Sequence, residues 1–425
     1  MTNQNVFVVG KDSAVSLFRL NVVEEYPGEY TVGDPTTGEY ITLDHLGLLT
    51  IELLQQEMTV SQVQDQLKRT TGEDVDVVEF ITSLLEIGFI KTLDGQTTRD
   101  NFQSISFKER YVLDVIAKLL FSKITIVFYI FTLISSIIIF LIKPYLWPYY
   151  QNIYGFKNIL ENMVAFAIIT TISVLYHEAG HIMASRALKI PVKMEFSRRN
   201  LIMLVLHTDM TNVRSLHRKQ RYIPYLAGIL FDSMSIFICL IIELSDRGNL
   251  SDQNTMLILC KEWVLVKVLG FVFQAMLFSR TDLYYVMCNL LGCSNLISDT
   301  RLYLLHGIFG RLKFLRDRVF QESPLWNLRE RRVLRLYSLL FVVGIGSLLF
   351  SMVRYGVPSA MYAIMHILAQ MKSSNIEVKG SGILAGLLIV IPYAILGYSY
   401  VRDYVKRRNI RKNSTKVQIE HELNY

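Results

Sequence analysis

Six apolar stretches, at about 124–142, 162–186, 222–243, 256–279, 336–355 and 381–401, occupy most of the chain beyond residue 120. A helix needs about 20 apolar residues to cross the hydrocarbon of a bilayer. Each stretch meets or approaches that length, so the pattern predicts a polytopic bundle of membrane-spanning helices. Composition agrees: 51% of the 425 residues are apolar, 19% are charged, and the mean hydropathy is +0.32. A water-soluble domain carries about 25% charged residues. The 23 Phe and 23 Tyr argue against disorder. Four Cys argue against a disulfide scaffold. The fourth stretch is interrupted by Lys261, Glu262 and Lys267. The first two can snorkel to an interface, whereas Lys267 needs a partner or a polar cavity.

Charge orders the stretches. The loop 187–221 carries eight basic and two acidic residues, and the segment 298–335 carries nine and four. The tail beyond 401 opens Arg402-Asp403-Tyr404-Val405-Lys406-Arg407-Arg408. The intervening loops 143–161, 244–255 and 356–380 are nearly neutral. Positive loops stay cytosolic, so about six spans with both termini inside satisfy the alternation. The net charge of +7 therefore reports orientation in a membrane, and no nucleic-acid partner is expected.

Residues 1–100 hold no run long enough to span, and no basic-then-apolar signal segment opens the chain. They are expected to form a small cytosolic α+β domain. Glu29–Val32 and Glu39–Thr42 flank a turn-rich connector and predict a hairpin. Asp44 caps a helix running through Gln55, Thr59 opens a second to about Arg69, and Asp76 caps a third, Val77 to Ile87, ended by Gly88. Phe89–Leu93 closes as a strand, the layout of a compact winged helix. Acidic residues outnumber basic ones here, which argues against DNA binding. The expected division is this domain at 1–100, a basic amphipathic connector at 101–123, the membrane domain at 124–401 and a basic cytosolic tail at 402–425. The fold class is mostly α.

The second stretch contains His177-Glu178-Ala179-Gly180-His181. On a helix, residues four apart share a face, so both imidazoles can reach one Zn²⁺. Glu178, on the neighbouring edge, can accept a proton from the attacking water. Ionisable groups inside a span are costly and mark function. A catalytic zinc takes a third protein ligand. Asp282, past the cytosolic end of the fourth stretch, lies at matching depth and is favoured. Asp232, about two turns into the third stretch, is the alternative, and Asp209 and His207 in the basic loop are weaker candidates. Cys288 and Cys293 are not spaced as a metal-binding pair and are read as small packing residues.

HEAGH in a span, a basic polar loop, Tyr225-Leu226-Ala227-Gly228 opening the next span and an Asp at a later junction together resemble intramembrane zinc metalloproteases of the site-2 protease type. The resemblance covers about residues 160–300. It implies zinc held by His177, His181 and Asp282, with Glu178 as general base, cutting a peptide bond at membrane depth. It also implies that Pro191 to Arg221 forms a substrate-guiding hairpin. The chain departs from the family where Asp282 is followed by Leu283 instead of Gly. The first hundred residues resemble PqqD-like peptide-binding domains, through Gly38–Asp44, Met58–Val63 and Asp76–Ile90. Such domains capture the leader of a ribosomally made, modified peptide by adding it as a strand. The two resemblances imply a bacterial cytoplasmic-membrane enzyme that processes a precursor peptide, alongside a peptide-modifying enzyme and a transporter. The alternatives are a non-hydrolytic membrane factor for peptide export or self-immunity, and a site-2 protease acting on a membrane-anchored regulator.

Overall fold

A computed structural model describes residue 7, residues 9–98 apart from 36 and 57, and residues 110–199, 203–246, 254–293, 296–309 and 328–402 apart from 392, 393, 396 and 399. The first part of the expected connector, 101–109, and nearly all of the basic tail lie outside the described residues.

The N-terminal region is built on two small sheets and three helices. Strands β1 (Val15–Leu17), β2 (Asn21–Tyr26), β3 (Glu29–Asp34) and β4 (Glu39–Asp44) precede helices α1 (His45–Leu54), α2 (Val60–Thr71) and α3 (Val77–Ile87). Strands β5 (Ile90–Leu93) and β6 (Gln96–Thr97) follow. β2, β3 and β4 form an antiparallel meander, while β5 pairs with β1 and β6. The expected hairpin is the β3–β4 pair, extended by β2, and the closing strand pairs with β1 instead. The helix ends follow from side-chain chemistry. Asp44, Thr59 and Asp76 accept from the backbone N–H groups of Gly47, Gln62 and Glu79. Gly88 ends α3 in the left-handed region. Ile51, Leu54, Val63, Leu67, Ile81, Leu84 and Phe89 fill one core between the helices and the strands.

After α4 (Tyr111–Leu120) the chain becomes long apolar helices: α5 (Lys123–Ile142), α6 (Ile159–Ala187), α7 (Tyr222–Ser245) and α8 (Thr255–Gln274). Among the described residues, α5, α6, α7 and the continuous helical stretch Arg331–Met371 are long and apolar enough to cross a membrane. The fourth expected stretch corresponds to α8, a 20-residue helix outside that set, and residues 381–391 of the sixth are helical. The expected loop 356–380 is corrected: residues 356–371 and 376–380 are helical. The helix Leu328–Ser351 passes through a π-helical turn, Met352–Gly356, into Val357–Met371. Gly356 and Pro358 look like a break in sequence. Pro358 instead sits in the first turn of the following helix, where its missing N–H costs nothing, and the wide turn absorbs the offset.

α6 and α7 pack closely enough that a Cβ on Gly180 would lie 2.7 Å from the carbonyl oxygen of Ala227. Between them, β7 (Lys193–Arg199) and β8 (Met203–Asp209) form an antiparallel hairpin. Helices α9 (Asp282–Leu291) and α10 (Leu296–Phe309) follow α8.

Candidate metal centre

Three ionisable side chains converge where α6, α7 and the start of α9 meet. His177 and His181 project from one face of α6, and Asp282 opens α9. Nε2 of His177 lies 2.9 Å from Oδ2 of Asp282, Nε2 of His181 lies 3.2 Å from the same oxygen, and the two Nε2 atoms are 3.2 Å apart. His181 is 1% exposed and Asp282 10%. His177 is 12% exposed and faces the adjoining cavity.

Each imidazole is fixed from behind. Nδ1 of His177 is 2.7 Å from Oδ2 of Asp232, and Nδ1 of His181 is 2.7 Å from the carbonyl oxygen of Pro224. Both partners are acceptors, so each Nδ1 carries the hydrogen and donates it. Each Nε2 is left with a lone pair aimed at the common point. A carboxylate oxygen faces the same point. Three lone-pair donors this close repel one another and are stabilised by a cation shared between them, a proton or a metal ion. Two ligand bonds of about 2.1 Å at a tetrahedral angle separate the donor atoms by roughly 3.4 Å, a few tenths of an ångström above the distances here. The cluster can hold a metal ion, and its two-nitrogen, one-oxygen composition fits zinc.

The backbone leaves room for it. A Cβ on Gly228 would fall 2.5 Å from Nε2 of His177 and 2.6 Å from Nε2 of His181. Only glycine lets α7 pass this close to both Nε2 atoms.

Asp232, the alternative ligand, stands behind His177 and outside the three-donor cluster. Its other oxygen receives the ammonium of Lys267, which also donates to the carbonyl oxygen of Ser173 at 2.8 Å. The Lys267 ammonium is buried 5.0 Å from the ring centre of Trp263 and 5.2 Å from that of Tyr176. This is the partner that Lys267 needed. The charge in the fourth stretch neutralises the charge in the third, and the pair orients a ring of the second.

Glu178 lies on the adjoining edge of α6, 7% exposed, and its Oε2 accepts the backbone N–H of Thr208 at 2.7 Å. The hairpin strand β8 thus holds the carboxylate beside the two histidines. Gln274 is a residue the sequence reading passed over. Its Nε2 is 2.6 Å from Oδ2 of Asp282, and its Oε1 accepts the Asp282 backbone N–H at 2.9 Å. The available signal was a lone amide at the end of an apolar helix, one short connection before the candidate ligand. Asp209 accepts from Thr211 at the end of β8, and both Asp209 and His207 line the neighbouring cavity. Neither joins the cluster.

The N-terminal sheet closes over this region. Arg221 donates to both carboxylate oxygens of Glu25, at 3.0 and 2.5 Å, and to the carbonyl oxygens of Arg214 and Leu216. The Arg218 guanidinium lies 4.4 Å from the ring centre of Tyr26. The Tyr40 hydroxyl donates to Oδ1 of Asn212 at 3.1 Å, and Asn21 donates to the carbonyl oxygen of Ser215 at 3.0 Å. Burial pushes the Tyr40 phenol up to about 12, so it keeps its proton at neutral pH. Gly292 ends α9 with φ +68°, and a Cβ there would strike the Tyr26 hydroxyl at 2.2 Å. Protein-family profiles, curated proteins and solved structures were compared with the chain, and none matches it.

Proposed function

We propose that the chain is an intramembrane zinc metalloprotease of the bacterial cytoplasmic membrane that hydrolyses a peptide bond in a ribosomally made, modified precursor peptide. The observation that carries this reading is the convergence of His177, His181 and Asp282 beside Glu178, on a helix long and apolar enough to cross a bilayer. Ionisable groups placed in such a helix are costly and mark chemistry.

His177, His181 and Asp282 would hold the zinc. Bound there, zinc would supply Lewis acidity and bring the pKa of a water near 7. Glu178 accepts the proton of the attacking water and returns it to the leaving amine. Asp232 and the Pro224 carbonyl keep both imidazoles in the metal-binding tautomer, and the Lys267 ammonium holds Asp232 in place. The Gln274 amide holds the Asp282 carboxylate against rotation. The positive loops support a cytosolic face for this end of α6, with both termini inside. The N-terminal domain holds the leader of the precursor, and a modifying enzyme and a transporter act before and after cleavage.

The test is cleavage of co-expressed precursor by wild type and by Glu178→Gln. The variant is expected to bind zinc normally and to lose cleavage by a factor of at least about 100, the contribution of a positioned general base. Processing at the wild-type rate would refute the protease reading.

A further inference from the structure

The cavity beside the metal centre has a volume of about 630 Å³ and two chemically different ends. Its upper wall comes from the N-terminal sheet: Glu25 and Tyr26 at the end of β2, Glu29 and Thr31 of β3, and Thr42 of β4. Arg214 and Arg280 line the same cavity, and neither forms an ion pair among the described residues. His177, Glu178 and Asp282 also line it. The wall between α6 and α8 is a mainly apolar groove, with Phe166 and Val174 on one helix and Val266, Leu269 and Phe273 on the other, and Thr170 and Ser173 among them.

The groove runs along the helices away from the sheet. Phe166 precedes His177 by eleven residues on α6, about 16 Å at 1.5 Å per residue. Val266 precedes Gln274 by eight on α8, about 12 Å. Gly270 lines this groove, and a Cβ there would meet nothing within 4 Å. The open space is therefore real room beside the helix.

Building on the protease reading, we infer that the N-terminal domain is one wall of the reaction chamber itself, and that the chamber takes an amphiphilic peptide in one piece. The polar segment lies beneath the β2–β4 sheet among Glu29, Arg214 and Arg280. The apolar segment lies in the α6–α8 groove. The bond presented to the metal centre is at the junction of the two. Continuity of the cavity from sheet to groove favours one peptide over two separate ligands. A domain that merely tethered its cargo would need no residues facing His177 and Glu178. Here Glu25, Thr31 and Thr42 share a single space with them. The Glu25–Arg221 ion pair and the Tyr26–Arg218 stack hold that wall in place.

The experiment places a photo-crosslinking residue at Thr42 or at Gly270 in the full-length Glu178→Gln chain in lipid nanodiscs. The probe is a synthetic peptide with a polar Ser/Gln/Glu N-terminal half and a Leu/Ala-rich C-terminal half, each half carrying its own mass label. The polar half is expected on position 42 and the apolar half on position 270, both adducts competed by unlabelled peptide. Lipid adducts at 270 that peptide does not displace, adducts at one position only, or both halves on both positions would overturn the inference. In the otherwise wild-type chain, Phe166→Ala, which removes apolar wall at the far end of the groove, is expected to lower kcat/KM for the same peptide by roughly 10–200-fold. Gly346→Leu, outside the cavity and with open space at its Cβ, is expected to leave it unchanged. The crosslinks do not depend on hydrolysis, so the two readings fail separately. Both adducts without cleavage by wild type would support the chamber and sink the protease. Cleavage without the adducts would do the reverse.

Discussion

At the scale of single residues, the centre depends on which nitrogen of each histidine carries the hydrogen. Asp232 and the Pro224 carbonyl decide this from behind, through contacts of 2.7 Å each. Asp232→Asn keeps the shape of the side chain but can present an amide to Nδ1 and gives up the charge that Lys267 neutralises. A loss of about 10–100-fold in zinc affinity is expected, the usual effect of removing a ligand's supporting carboxylate. Competition with a chromophoric chelator measures it, and unchanged affinity would remove Asp232 from the support role. Asp232 was visible in the sequence as a costly charge in an apolar helix, yet its position behind the ring was not. Spacing along one helix gives depth in the membrane, whereas which side of His177 it meets depends on how α6 and α7 pack. Gln274 was missed for a related reason: an uncharged amide does not stand out against an apolar run as an ion does.

At the scale of elements, the helices with strong local signals and the strands β3, β4 and β5 were legible, and the pairing of strands distant in sequence was not. Asp44, Thr59, Asp76 and Gly88 mark the ends of α1, α2 and α3 by hydrogen bonds that close within a few residues. β1 is three residues long and pairs with β5, with Val15 opposite Leu93. Nothing local to either strand announces that pairing. The continuation of helix beyond Gly356 escaped because Gly and Pro together resemble a terminator, while a π-turn lets the helix continue. The α6–α7 contact carries its own prediction. Gly228→Ala places a methyl group against both Nε2 atoms, so it is expected to cost about 1–3 kcal/mol in stability and to abolish zinc binding. Thermal unfolding and metal content check the two effects separately. A variant that retained zinc would show that α7 does not back the site.

At the scale of the whole molecule, the apolar runs made helices of membrane-crossing length readable from sequence, and four such helical stretches stand among the described residues. What the runs could not convey is that the N-terminal sheet sits against the loop following β8. That docking depends on Glu25, Tyr26 and Tyr40 meeting Arg221, Arg218 and Asn212 across some 170 to 200 residues. Arg221 and Glu25 are 8% and 12% exposed, so removing one partner strands a poorly solvated charge. Arg221→Ala is expected to weaken the docked state by about 3–5 kcal/mol. Hydrogen exchange of β2 and β3 should then rise, while that of the α1–α3 core stays unchanged. Equal protection in both proteins would mean that other contacts hold the wall.

The central claim is that His177, His181 and Asp282 form one metal centre. The most direct measurement is the zinc content, by elemental mass spectrometry, of purified wild type, His181→Ala, Asp282→Ala and Glu178→Gln after dialysis against a weak chelator. The account expects zinc in equal proportion to protein in wild type and in Glu178→Gln, and its loss from the other two. Retention of zinc by both His181→Ala and Asp282→Ala, or its absence from wild type supplied with zinc, would contradict it.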